Sequence, residues 1–111
     1  MIHEEFEKVI LARLLRGDDP DSRILRDQLA ASTVAKRDWT PTGVFIYFSV
    51  PDSCARTATR NNHLGDARLI LVPDIPADAI LHIEDGKLET LECFRYDTEG
   101  WPREPEIQTL D

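Results

Sequence analysis

Apolar residues near the start of the chain recur at helical spacing. Ile2, Phe6, Val9, Ile10 and Leu14 fall on one face of a 3.6-residue period, which predicts a helix over 2–16. Glu4, Glu5 and Glu7 crowd its first turns, and Lys8, Arg13 and Arg16 follow, the order a helix dipole favours. Gly17 and Asp18-Asp19-Pro20 end it. Ile24, Leu25 and Leu29, with Gln28 on their flank, predict a second helix over 21–31 capped by Asp21 or Ser22. The short link makes the pair an αα-hairpin. Neither helix is long enough to stand alone, so strands must cover their apolar sides.

The pattern then changes period. Residues 33–39 read as a weak strand, followed by a turn at Thr40-Pro41-Thr42-Gly43. Val44–Val50 is the strongest strand signal, β-branched and aromatic almost throughout. Residues 51–65 hold loop formers without a period, and Arg68–Val72 is the next strand. Ala79–Glu84 and Lys87–Tyr96 flank Asp85-Gly86, a dipeptide suited to a type I′ turn because both central residues need positive φ. Leu88 and Leu91 are three apart, which strict alternation forbids on one face. Either both faces are partly covered or a bulge near Thr90 resets the phase. Trp101 in Glu99-Gly100-Trp101-Pro102 is expected to tuck back against the body. The expected architecture is α+β: an N-terminal helical hairpin packed on one face of a largely antiparallel four- to five-stranded sheet. Residues 1–102 form the single domain, and 103–111 an acidic, poorly ordered tail.

Charge sharpens this picture. The 111 residues carry a net charge of −8. Residues 1–73 are balanced, whereas 74–111 hold eleven acids against Lys87, Arg95 and Arg103. Phosphate backbones and anionic membranes call for the opposite sign, so neither nucleic acid nor membrane is an expected partner. A protein with a basic surface would gain from the field. No apolar stretch of membrane-spanning length occurs, and Met1-Ile2-His3-Glu4-Glu5 does not begin a signal peptide. The expected compartment is the cytoplasm, with Cys54 and Cys93 as reduced thiols.

Candidate chemistry is sparse. His3, His63 and His82 are too scattered for a metal motif, and no cofactor-binding pattern is present, so neither metal nor cofactor is expected. No nucleophile elbow surrounds Cys54, and Cys93 reads as a small core residue. No catalytic residue is assigned. The binding candidates are Trp39 at a strand end, Arg56, Arg60 and His63 in the long loop, His82 within a strand, and Glu92 between Leu91 and Cys93. Glu92 is also a candidate buried structural acid.

Ile83–Glu92 with its Asp-Gly turn and Leu-Glu, then Phe94-Arg95-Tyr96 and Trp101-Pro102, resembles a family of small bacterial α+β proteins of uncharacterised function, over residues 2–102. Leu25–Leu29 and the Gly43–Phe48 strand fit the same pattern. Some proteins of this build look like immunity proteins that neutralise toxin domains. The resemblance implies a fold and a bacterial origin, and no catalytic residues. The expected function is a non-enzymatic protein-binding module, monomeric or homodimeric, of immunity-like type. The alternatives are a small-ligand or enzymatic domain with a polar site between sheet and long loop, and a structural subunit of a homo-oligomer.

Overall fold

The computed structural model describes residues 1–58 and 63–111, without the side chains of 63–65. Two helices, α1 (Glu5–Leu14) and α2 (Pro20–Ala31), precede six strands: β1 (Thr33–Thr40), β2 (Gly43–Ser49), β3 (His63–Leu71), β4 (Ile75–Glu84), β5 (Lys87–Arg95) and β6 (Ile107–Leu110). All pairings are antiparallel, in the order β1-β2-β5-β4-β3-β6. The protein is α+β with an open antiparallel sheet.

Local chemistry fixes the helix ends. Glu4 and Glu7 form a reciprocal capping box at the start of α1. The cap of α2 is Asp19 rather than Asp21 or Ser22, because Pro20 takes the first helical position, where its missing N–H costs nothing. The Asp19 side chain accepts from the Ser22 backbone N–H at 3.0 Å and from its hydroxyl at 2.8 Å. Arg26 bonds the carbonyls of Leu15 and Gly17, satisfying acceptors where the chain leaves α1.

Burial along the strands alternates. Ala77, Ala79, Leu81 and Ile83 of β4 are buried, while Asp78, Ile80 and His82 between them are half-exposed. In β2, Val44 and Ile46 are buried, and Phe45 and Tyr47 are half-exposed. Ile10, Leu11, Leu15 and Leu25 of the helices belong to one apolar cluster with the buried strand residues. α1 lies nearest β3, and α2 nearest β5.

The β4–β5 hairpin carries both features expected of it. Asp85 and Gly86 have φ of 52° and 74°. A bulge shifts the register so that His82 faces Thr90 while Ile83 faces Leu88, leaving Glu89 as the extra residue. That single insertion lets Leu88 and Leu91 both be buried. The hairpin tip is clamped by two segments, α2 and the long loop. The Gln28 amide donates to the carbonyls of Ala55 and Gly86, both at 2.8 Å, and accepts from the Leu88 N–H at 2.9 Å. Thr57 N–H also donates to the Gly86 carbonyl, at 3.0 Å. A Cβ on Gly86 would meet Arg56 and Thr57 atoms at 2.8–2.9 Å, so only glycine fits there.

The sheet has six strands, not four or five. The sixth lies inside 103–111, the segment expected to be poorly ordered. Ile107 and Leu110 pack against the core, and β6 pairs with the edge of β3. Hydrogen bonds from Val72 N–H to the Glu106 carbonyl (2.9 Å) and from Asp111 N–H to the Arg68 carbonyl (3.0 Å) bracket it. Acids and a proline surround those four residues, so the deciding factor is the open ladder that a distant strand offers. β3 likewise starts at His63, inside the stretch expected to be loop, because the ten-residue β4 pairs along its length.

Candidate functional site

The half-exposed sheet positions form one surface. Phe45 stacks along β2 on Tyr47 with centroids 6.4 Å apart, and Phe94 meets Tyr96 edge-on at 5.9 Å. Residues two apart on a strand share a face, so all four rings lie on the same side. Tyr96 donates its hydroxyl to Asp78, and this hydrogen bond raises the phenol pKa from its ordinary value. The Lys36 ammonium sits 4.7 Å from the centre of the Tyr47 ring. Across the strands the register places Tyr47 beside Thr90 and His82, and Phe45 beside Glu92 and Ile80. The surface is therefore aromatic along β2 and β5 and rich in carboxylates beside those rings.

His82 and Glu92 meet on this face, with Nε2 3.0 Å from the carboxylate. The Glu92 side chain keeps 27% of its exposure, so it is not the buried acid. A hollow of about 420 Å³ opens next to the pair, lined by Phe45, Tyr47, His82, Glu84, Glu89 and Thr90 among others. The bulge explains its acidity. Glu89 and Thr90 succeed each other between the buried Leu88 and Leu91, so the insertion adds one carboxylate to the open face. A hydrogen bond with the Glu84 carboxyl, then partial burial and the Glu84 charge, raise the pKa of Glu89 above the ordinary carboxylate value.

The remaining candidates lie elsewhere. Trp39 is 66% exposed on the edge strand β1, beyond the helices. Arg56 is exposed in the long loop, its guanidinium 3.5 Å from the Asp85 carbonyl. It borders a second hollow, of about 370 Å³, shared with Glu84, Lys87 and Glu89. Arg60 lies outside the described residues. His63 opens β3 opposite His82, and its side chain is likewise not described. The structure thus joins His82 to Glu92 and leaves Trp39 and Arg56 apart from them. Cys54 packs partly buried against the core, and burial pushes the Cys93 thiol far up from its ordinary pKa.

Sequence reasoning missed the buried polar residues. Glu7 is fully buried and holds Arg37 through two contacts, Nε to Oε2 at 2.7 Å and Nη2 to Oε1 at 2.9 Å. That hydrogen bonding raises the Arg37 pKa further. The signal was the Glu4-Glu5-Phe6-Glu7 spacing, a capping box whose last member turns toward the core. Arg95 is also buried, bonding the Gly100 carbonyl and Asp97, both at 2.8 Å, and fixing the turn that leads to Trp101. Trp101 in turn packs near Phe6, with centroids 6.5 Å apart.

No protein-family model, no curated protein and no solved structure matches the chain at a significant level.

Proposed function

We propose that the protein is a non-catalytic protein-binding module. In this reading the helical hairpin covers one face of the sheet, and the other face receives a partner with a basic surface. The observation that carries it is the pairing of four exposed or half-exposed rings, Phe45, Tyr47, Phe94 and Tyr96, with Asp78, Glu84, Glu89 and Glu92 on that uncovered side. Antiparallel sheets tolerate one solvated face, but that face is normally polar rather than aromatic. Clustered aromatic residues supply most binding energy at protein interfaces, and surrounding charge selects and steers the partner. An immunity-type role, in which an acidic module blocks a basic toxin domain, is the concrete form of this reading. The arrangement of polar groups favours it over catalysis, since the His82–Glu92 pair lies on an open surface.

The experiment is capture from a lysate of the native organism, followed by direct binding of the captured protein to purified chain. A basic protein bound at low salt, weakened at high salt and lost with Tyr47→Ser/Tyr96→Ser is the expected result. Binding unchanged by salt and by that double substitution, with the variant still folded by circular dichroism, would refute the reading.

A further inference from the structure

We propose that the hollow beside His82 receives the guanidinium of an arginine on the partner protein. This rests on the reading of the open face as a binding surface and specifies the chemistry of its most acidic point.

Four observations converge on it. Glu84 and Glu89 both line the hollow, and among the described residues neither forms an ion pair. Their neighbours are already engaged. Glu92 is taken by His82 at 3.0 Å, and Lys87 by Asp52 at 2.7 Å. Arg56 bonds the Asp85 carbonyl at 3.5 Å. Second, Phe45 and Tyr47 also line the hollow, so the cation would meet aromatic rings as well as charge. The chain already shows this affinity internally, because the Lys36 ammonium rests on the Tyr47 ring. Third, Glu89 stands at the bulge itself, a device that re-aims side chains next to functional sites. Fourth, no group of three or more metal-ligating side chains forms among the described residues, so two carboxylates and two rings describe an organic cation better than a metal ion.

Arginine fits better than lysine. A planar guanidinium presents parallel N–H donors that span adjacent carboxylates while its flat face stacks on a ring. An ammonium is a point charge and satisfies one of those requirements at a time.

The test is a two-dimensional amide NMR titration of the full chain with N-acetyl-arginine methylamide. The citrulline analogue, a neutral near-isostere, and the lysine analogue serve as controls. Shifts should centre on His82, Glu89, Thr90 and Tyr47, stronger for arginine than lysine and absent for citrulline. Glu84→Gln/Glu89→Gln should weaken binding about tenfold. Glu104→Gln/Glu106→Gln, which removes the same charge from the C-terminal segment, should leave it unchanged. Equal response to citrulline, shifts centred on the C-terminal segment, or unchanged binding in Glu84→Gln/Glu89→Gln would overturn the assignment. The two readings fail separately. A captured basic partner that binds Glu84→Gln/Glu89→Gln as tightly as the parent removes the guanidinium and leaves the face. Arginine titrating into the hollow, beside a partner indifferent to Tyr47→Ser/Tyr96→Ser, supports the hollow and removes the face.

Discussion

Two sets of acidic side chains, Glu7 alone and Glu84 with Glu89, are treated in opposite ways. Glu7 is fully buried, yet it is held by a bidentate Arg37 and by the Glu4 backbone N–H at 2.9 Å. Glu84 and Glu89 are far more accessible, and among the described residues they face each other without an ion-pair partner. Burial of charge is tolerated where geometry compensates it, and repulsion is tolerated where water screens it. The first arrangement locks β1 to α1. The second leaves two carboxylates that form no ion pair among the described residues.

The comparison breaks most visibly at Glu7. Glu7→Gln should cost about 3–5 kcal/mol, because Arg37 is left as an uncompensated charge. Urea unfolding measures this, and Glu7→Leu/Arg37→Met should recover most of it. Gln28→Leu comes next, at about 2–3 kcal/mol by the same measurement, since it strands the buried Leu88 N–H and removes a buried donor to the Gly86 carbonyl. His3 gives a smaller, pH-dependent effect. Burial first, opposed by the Glu7 charge and assisted by Arg37, lowers its pKa below the unfolded value of 6.5. The unfolded chain then binds more protons across that interval, so stability falls as pH drops below about 6.5 and levels off beneath the folded value. Thermal unfolding of His3→Gln should show a flatter profile over that window.

Much of this was legible in the chain, and the boundary of legibility is physical. Positions governed by local chemistry could be read: the helical period around Ile10 and Leu14, the Asp85-Gly86 turn, and the phase break between Leu88 and Leu91 that the bulge resolves. Features decided by distant partners could not. Ile107–Leu110 becomes a strand because β3 has a free edge, and residues 63–67 extend β3 because β4 is long enough to pair with them. The half-exposed sheet face was partly visible. Alternation marked His82 as facing away from Leu81 and Ile83, but nothing local indicated that Glu92 would be its partner from the next strand. Arg37 lay beside Trp39 in a weak strand, and its pairing with a helix residue thirty positions away depends on tertiary structure alone.

The most direct test compares the two acidic sets in one experiment, the urea midpoints of Glu84→Gln/Glu89→Gln and Glu7→Gln at neutral pH. Glu89 titrates above the unfolded value in the folded state, so the folded protein is favoured by protonation and loses that advantage as pH rises through the folded pKa. Removing the repulsion should hold or raise stability, by a few tenths of a kcal/mol after solvent screening, while Glu7→Gln falls by several. A loss of more than about 1 kcal/mol in Glu84→Gln/Glu89→Gln would show that those carboxylates support the fold and contradict their assignment to binding.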